Sequence, residues 1–272
     1  MKLPQNLIDA AKNQKLIPFI GAGFSFPLNL PSWSSLIAEI ASDLGYDPEI
    51  LNVYGDFLQI AEYMYIQNNG IGSFQSKLDR KFNNSSIDVS KSVTHMLLTD
   101  LKAKKIYTTN WDHWIEEAFI FKKLKIDRII GADDLIKSNS DATQIIKFHG
   151  DLSSRGNDIV FTETSYFERL SFESPLDISL RSDMLSNTIL FLGYSLSDFN
   201  VRYMLFKLNK LLKSQITTTT RPPTAYIALV SKNPILESIL KNSRNIEVIY
   251  LDPKNPNQSL IDLLNELVQN IP

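Results

Sequence analysis

The sequence contains no cysteine among its 272 residues and only three histidines. Without cysteine the chain can form neither a disulfide bond nor a thiolate metal site, and this absence suits a reducing cytoplasm. The histidines, His95, His113 and His149, stand in no spacing typical of a metal site, and the H-E-x-x-H pattern does not occur. We therefore expect a protein that holds no metal ion.

Long apolar runs and a large net charge are also absent. No stretch approaches the roughly 18 consecutive apolar residues that a membrane-spanning helix needs, so we expect a soluble, cytoplasmic protein without membrane contact. The formal net charge is −2, which gives no electrostatic basis for direct nucleic-acid binding. The G-x-S-x-G motif of hydrolases and the P-loop lysine motif are missing as well.

Short apolar runs rich in β-branched and aromatic residues recur along the chain. They lie at residues 15–20, 105–109, 144–148, 158–161, 188–193, 224–230 and 246–251. Most are continuous rather than alternating, which indicates strands buried on both faces of a parallel sheet. Helical patterns lie between or after them at 33–44, 112–121, 199–212 and 260–268. This order predicts an α/β fold with a Rossmann-like open parallel sheet and helices on both faces.

The segment between the first two predicted strands is too long for a single crossover. Residues 33–100 read as several helices, among them 54–70 and 71–82. We therefore predict one domain over residues 1–272 that carries an inserted helical subdomain at about 33–100.

Four polar clusters follow predicted strands. They are GAGFS at 21–25, TTNWD at 108–112, HGD at 149–151 and GYSLSD at 193–198. Open parallel sheets bind their ligands at the carboxyl ends of the strands. The shared position of the four clusters therefore predicts a single binding site at that edge.

Each cluster taken alone also allows a structural interpretation. The glycines of GAGFS suit a phosphate loop or a tight turn without a ligand, and Phe26 stands where a dinucleotide-binding dehydrogenase has its third glycine. Thr109 or Asn110 could cap the helix that follows. His149 can act as a base near neutral pH, or it can be a structural histidine, as we expect for His95 and His113.

The order Gly-Ala-Gly-x-Ser, Thr-x-Asn-x-Asp, His-Gly and Gly-x-Ser resembles the sirtuins, a family that consumes NAD, from about residue 19 to about residue 230. The resemblance implies that Asn110 lies by the nicotinamide ribose, that Asp112 binds the carboxamide and that His149 is the catalytic base. It implies that the pyrophosphate and the nicotinamide side of NAD contact Gly21, Ala22, Gly23 and Ser25. The adenosine half would contact Gly193 and Ser195, with Ser231 as a weaker candidate.

Two departures separate this sequence from the sirtuin deacylases. Deacylases carry a zinc ribbon of four cysteines soon after His-Gly, and their loop reads roughly Gly-Ile-Pro-Asp-Phe-Arg. Here there is no cysteine, and in the segment NLPSWS at 29–34 Trp33 replaces the aromatic residue while Ser34 replaces the arginine. The sequence is more similar to the sirtuin-like NAD-hydrolase domains of bacterial anti-phage systems, such as Thoeris and the sirtuin-linked short Argonautes.

This closer resemblance implies an NAD⁺ glycohydrolase that uses NAD as its substrate and releases nicotinamide and ADP-ribose. NAD depletion would then serve abortive infection, and Trp33 would lie in a loop that closes over the site. Two alternatives remain open: a protein deacylase or ADP-ribosyl transferase, and a non-catalytic sensor of NAD or ADP-ribose. Because 272 residues leave little room for a sensor domain, we expect control by homo-oligomerisation or by a separate activating partner (a sensor, an Argonaute-like protein or an ATPase).

Overall fold

The strands of the chain form one parallel sheet. The structure, a computed structural model, describes residues 3–31, 33–47, 49, 53, 56–139, 141–153, 159–171, 173–194, 202–207, 209–210 and 225–271. Within these residues the strands are β1 (Leu16–Ile20), β2 (Lys105–Thr108), β3 (Ile126–Ile129), β4 (Thr143–Lys147), β5 (Thr188–Leu192), β6 (Ala225–Leu229) and β7 (Ile246–Tyr250). They make a seven-stranded sheet of order β3-β4-β2-β1-β5-β6-β7, in which every pair is parallel.

Helices lie between the strands along the chain. In chain order they are α1 (Gln5–Lys12), α2 (Trp33–Leu44), α3 (Phe57–Gln67), α4 (Gly72–Phe82), α5 (Val93–Asp100), α6 (Trp114–Phe121), α7 (Ala132–Lys137), α8 (Glu163–Arg169), α9 (Pro175–Ser186), α10 (Pro234–Arg244) and α11 (Pro256–Gln269). Short 3₁₀ helices occupy Ala22–Leu28 and Val89–Lys91.

Alternate residues of the central strands belong to two hydrophobic cores, one on each face of the sheet. In β1, Leu16 and Ile20 belong to the core formed with α1, α5, α6 and α11. Ile17 and Phe19 belong to the opposite core, which α9 and α10 cover. This alternation explains why the strand sequences are continuously apolar, since both faces of the sheet are buried. The predicted Rossmann-like parallel sheet with helices on both faces is confirmed.

A third core belongs to α2, α3 and α4. Its buried residues on these helices include Ile40, Met64 and Phe74, and it extends to Trp111 and Phe161, which follow β2 and β4 in the chain. In contrast, α5 packs against α6 and α11 and so joins the layer that covers the sheet. That residues 33–100 form a separate inserted subdomain stays a prediction.

Two parts of the strand prediction were wrong. Residues 159–161 of the predicted strand at 158–161 form no strand, and residue 158 lies outside the described part of the chain. Strand β3 was missed because Asp127 and Arg128 interrupt its apolar pattern; as an edge strand it pairs only with β4 and is partly exposed.

Of the helix predicted at 199–212, residues 202–207, 209 and 210 are described, and they are helical.

No helix in the described ranges combines the length and the apolar character needed to span a membrane.

His95 on α5 is fully buried and makes the stability of the fold depend on pH. Its ring packs at 5.0 Å against the ring of Phe24, and Nδ1 lies 2.7 Å from the hydroxyl of Ser92. Burial lowers the pKa of His95 from 6.5 to about 4. The unfolded chain therefore takes up a proton below pH 6.5 that the folded chain does not bind. Above that pH His95 does not reduce the free energy of unfolding, and below it this free energy falls as the pH falls.

We expect His95→Gln to flatten the acid decline of stability. Between pH 7.5 and pH 5 the variant should lose about 2 kcal/mol less of its unfolding free energy than the wild type does. Urea unfolding across this pH range measures the difference. Parallel declines in the two proteins would show that His95 does not carry this proton linkage.

Candidate functional site at the carboxyl ends of the strands

The sheet brings the loops that follow β4, β2, β1 and β5 to one edge, side by side. The last residues of these four strands, Lys147, Thr108, Ile20 and Leu192, are aligned in register across the sheet. Each of the four polar clusters starts at or just after this row, so they meet at one level, as the sequence predicts.

The glycine-rich turn after β1 packs directly on the backbone of the loop after β5. The amide of Gly21 donates to the carbonyl of Leu192 at 2.9 Å, and the amide of Gly23 donates to the carbonyl of Gly193 at 3.0 Å. These two amides are therefore occupied by protein acceptors. Ala22 and Gly23 lie exposed in the first turn of the 3₁₀ helix.

Gly193 is required by this contact in two ways. Its φ is +76°, and a methyl group on it would overlap the amide nitrogen of Phe24 and lie 2.7 Å from the carbonyl oxygen of Gly21. Gly45 has a similar φ of +73°, but no atom lies within 4 Å of the place that a methyl group on it would occupy. Comparing alanine substitutions at these two glycines therefore distinguishes the cost of backbone strain from the cost of steric overlap.

We expect Gly193→Ala to lower the free energy of unfolding by about 3 kcal/mol or more, because left-handed strain adds to overpacking. Gly45→Ala should cost about 1 kcal/mol, from strain alone. Urea unfolding of both variants tests this. Equal losses would mean that the two loops separate without cost.

Asn110 presents an unused acceptor in a buried position. Its backbone amide donates to the hydroxyl of Thr108 at 3.0 Å, and that hydroxyl donates to the carbonyl of Ile20 at 3.0 Å. The side-chain nitrogen donates to the hydroxyl of Ser25 at 3.3 Å. Asn110 is only 6% exposed, yet its Oδ1 has no hydrogen-bond partner among the described residues. Since leaving a buried acceptor unsatisfied costs about 1–3 kcal/mol, a ligand donor at this point would be favoured.

The capping interpretation of TTNWD was wrong. The helix after β2 begins only at Trp114, so Thr109 and Asn110 lie too far upstream to cap it. Instead, Asp112 accepts a hydrogen bond from the amide of Trp114 at 3.1 Å. The polar residues of this loop are thereby left to make contacts across the sheet edge.

Tyr194, which sequence reasoning missed, ties three of the loops together. Its hydroxyl lies 2.7 Å from the hydroxyl of Thr109 and donates to the carbonyl of Ile20 at 3.2 Å. A methyl group on Gly21 would lie 2.8 Å from the Tyr194 ring. An aromatic residue directly after a strand-end glycine was the available signal.

His149 lies two residues beyond the end of β4, at the same distance from the aligned row as Asn110 from the end of β2. It is 6% exposed, its ring packs edge-on against Tyr166 at 5.3 Å, and its carbonyl accepts from the amide of Val160 at 3.0 Å. Burial, and secondarily the charge of Arg169, lowers the pKa of His149 to about 3. The imidazole is therefore neutral at physiological pH and has a nitrogen that can accept a hydrogen bond.

A charge cluster whose central lysine and carboxylates are buried lies beneath these two loops. Lys147, at the end of β4, donates to the main-chain carbonyl of Asp112 and lies 3.3 Å from a carboxylate oxygen of Glu116 and 3.5 Å from one of Asp151. Asp151 also faces Arg128 at 3.5 Å. Burial raises the pKa of Asp112. Burial has the same effect on Asp151, but Lys147, the Ser153 hydrogen bonds and Arg128 together hold the pKa of Asp151 below its usual value. The sequence signal that was missed is a lysine inside an apolar run, QIIKFHG.

A cleft opens beside the His149 loop. It has a volume of about 410 Å³, within the range of small-molecule sites. Arg169 lies on its wall, 4.2 Å from the centre of the Phe148 ring, and is ion-paired with Asp177 at 3.1 Å. The lining residues are Ile130, Gly131, Asp134, Phe148, Gly150, Val160, Arg169 and Leu176.

The structure does not place three of the predicted contact residues in this arrangement. Ser195 lies outside the described residues. Trp33, expected in a loop, is instead the first residue of α2, and its side chain is outside the described part. Ser231 is exposed beyond the end of β6. Among the described residues no group of three or more histidine, aspartate or glutamate side chains is arranged to hold a metal ion.

Comparison with curated proteins finds relatives named for NAD hydrolysis and for defence. The chain is 26% identical over 212 residues to defense-associated sirtuin 2 of Bacillus subtilis. It is 29% identical over 196 residues to the NAD(+) hydrolase ThsA of Cytobacillus dafuensis and 28% over 190 residues to that of Bacillus cereus (strain MSX-D12). These alignments cover 77%, 71% and 69% of this chain but 21%, 38% and 38% of the relatives, so the chain spans well under half of their length.

A family comparison covers the loops after β2, β4 and β5, although not the glycine-rich turn after β1. The SIR2-like domain family matches residues 104–249, more than half of the sequence, from the start of β2 to the end of the sheet. The matched segment includes the loops of Asn110, His149 and Gly193. The chain therefore belongs to the SIR2-like domain family.

Proposed function

We propose that this chain hydrolyses NAD⁺ at the bond between nicotinamide and ribose, releasing nicotinamide and ADP-ribose, and that it depletes NAD in bacterial anti-phage defence. The observation that carries the proposal is the buried Oδ1 of Asn110, which has no hydrogen-bond partner among the described residues and lies, like His149, two residues beyond the aligned strand ends. The relatives named NAD(+) hydrolase and defense-associated sirtuin support it.

The chemistry of the scissile bond suits these residues. Nicotinamide leaves from a cationic state, so its departure needs no strong acid. A site accelerates the reaction if it holds the ribose in position and favours the developing positive charge. Since the nitrogen of Asn110 is held by Ser25, its oxygen is oriented to accept a hydrogen bond from a ribose hydroxyl or from the attacking water.

His149 is assigned the role of proton acceptor. Water forms the new bond to the anomeric carbon as the bond to the nicotinamide nitrogen breaks, and its surplus proton leaves through His149 to solvent. A neutral imidazole can accept that proton. Its low pKa makes it a weak base, which is adequate because the attacked carbon is strongly electron-poor in the transition state.

The glycine loop is assigned a modified role in binding. The amides of Gly21 and Gly23 are bonded within the protein, so Gly21 and Gly193 act by allowing close approach of the two loops. The exposed surface at Ala22 and Gly23 is left to contact the pyrophosphate. Asp112, Trp33 and Ser195 are proposed as further contacts to NAD.

The decisive experiment is the measurement of nicotinamide and ADP-ribose after incubation of the purified protein with NAD. We expect equimolar release of the two products. Calorimetric binding of NAD without release, at all protein concentrations and with the activating partner present, would instead identify a sensor. Absence of both NAD binding and nicotinamide release would contradict the proposal.

The cleft beside His149 favours transfer to an acceptor as a second candidate function. An acceptor held there would react in place of water. Adding an acylated peptide or a protein acceptor would then convert part of the released ADP-ribose into acceptor-linked product. Unchanged free ADP-ribose in the presence of acceptors favours hydrolysis.

We propose that activity depends on self-association or on an activating partner, either a sensor, an Argonaute-like protein or an ATPase, acting in the cytoplasm. The relatives are more than twice as long as the segment they share with this chain, which leaves room in them for regulatory parts. A monomer with full activity in the absence of any partner would contradict this.

A further inference from the structure

Lys147 is fully buried at the end of β4, where its ammonium meets groups from three separate segments. It donates to the carbonyl oxygen of Asp112, in the loop after β2. It pairs with Glu116 on α6 and with Asp151 in the loop after β4. A single charged group thus joins both loops that carry the proposed catalytic residues.

The residues that contact Lys147 lie close in sequence to the proposed catalytic residues. Asp112 lies two residues after Asn110, and Asp151 lies two residues after His149. Two backbone hydrogen bonds link the segment after β4 to β2 and its loop: the amide of Phe148 donates to the carbonyl of Thr108 at 2.7 Å, and the amide of Leu152 donates to the carbonyl of Trp111 at 3.3 Å. The ammonium adds a charged connection at the same level.

Stability alone is a poor reason for this arrangement. Removing an ammonium and carboxylates from water is costly, and apolar residues of similar volume are often as stabilising as a buried ion pair. Here the carboxylates of Glu116 and Asp151 and the carbonyl of Asp112 all converge on one lysine. Such convergence fixes the relative position of the segments that supply the acceptors.

We propose that Lys147 is a positioning residue that holds the Asn110 loop in register with the His149 loop. The expected effect on catalysis rests on the proposed function. The expected effect on the position of the loops rests on the contacts alone. Lys147 itself is buried, so it acts through the loops rather than by touching the substrate.

The test compares Lys147→Met with the double variant Lys147→Met/Glu116→Gln. The single variant leaves two buried carboxylates without Lys147, whereas the double variant also removes the charge of Glu116 and leaves Asp151 facing Arg128 at 3.5 Å. Lys105→Met/Asp183→Asn is the matched control, because Lys105 pairs with Asp183 at 2.8 Å at the opposite end of β2.

For Lys147→Met/Glu116→Gln we expect a melting temperature close to that of the wild type and a kcat for nicotinamide release at least about tenfold lower. The affinity for NAD, measured by calorimetry, should change less than about threefold, because positioning affects the transition state more than ground-state binding. Hydrogen exchange of a peptide covering 148–153 should become faster. The control should keep wild-type kcat and exchange.

Wild-type kcat together with unchanged exchange in the double variant would overturn the inference. If the wild-type protein releases no nicotinamide in any assembly state, the proposed hydrolysis fails separately, and the exchange measurement still decides the role of Lys147. Unchanged exchange at 148–153 would then overturn it, and faster exchange in the double variant but not in the control would support it.

Discussion

Replacing Asn110 by alanine is expected to lower kcat/KM for nicotinamide release at least about a hundredfold, equivalent to about 2.7 kcal/mol of transition-state stabilisation. The side chain is buried, its nitrogen is held by Ser25, and its oxygen has no partner among the described residues. An acceptor prepared in this way needs no reorganisation when the ribose or the water arrives. The loss should therefore appear mainly in kcat.

The same substitution should leave the free energy of unfolding within about 1 kcal/mol of the wild type. It removes one long hydrogen bond to Ser25 but also removes a buried acceptor that the protein itself does not satisfy. Loss of activity without loss of stability separates a substrate contact from a structural residue. Urea unfolding and steady-state kinetics on one preparation provide the two measurements.

Asn242→Ala is the matched control, because Asn242 is exposed on α10 and its side-chain nitrogen makes a local hydrogen bond to the hydroxyl of Ser238 at 3.1 Å. It should keep wild-type kinetics. Wild-type rates in Asn110→Ala would remove this residue from the mechanism, and a large loss of stability would reassign it to the fold.

The sheet and the convergence of the polar clusters could be predicted from the sequence because both follow from local patterns. Continuous apolar runs mark doubly buried strands, and polar residues directly after them fall at the carboxyl edge of any parallel sheet. Edge strand β3 lacked that pattern since Asp127 and Arg128 are partly exposed on it. Its existence depends on pairing with β4, which no local window contains.

The glycines show why site chemistry is harder to predict than fold. A glycine after a strand is equally suited to admit a phosphate or to admit a second stretch of backbone. In this fold the backbone of Gly193 occupies the space beside Gly21 and Gly23. Lys147 was missed for a related reason: its partners Glu116 and Asp151 come from segments that are brought together only by the sheet.

His149→Ala is expected to lower kcat/KM for nicotinamide release at least about a hundredfold as well, within the range of general-base contributions. The pH profile distinguishes this histidine from an ordinary one. Since burial lowers the pKa of His149 to about 3, its ring stays neutral down to the acid limit of the fold. Wild-type kcat/KM should therefore stay flat between pH 5.5 and pH 8.

An accessible histidine with a pKa near 6.5 would instead lose activity as the pH falls below that value, approaching tenfold per pH unit. Rates should be recorded only where circular dichroism shows the folded state, because buried His95 and His149 both reduce stability as the pH falls below 6.5. His95→Gln, assayed at pH 7.5, is the control for the loss of a buried histidine and should retain wild-type kcat. An acid decline that disappears in His149→Ala would show that the ring titrates in this range and is solvated during catalysis. A flat profile together with the hundredfold loss supports a neutral imidazole that accepts its proton only as the nicotinamide bond breaks.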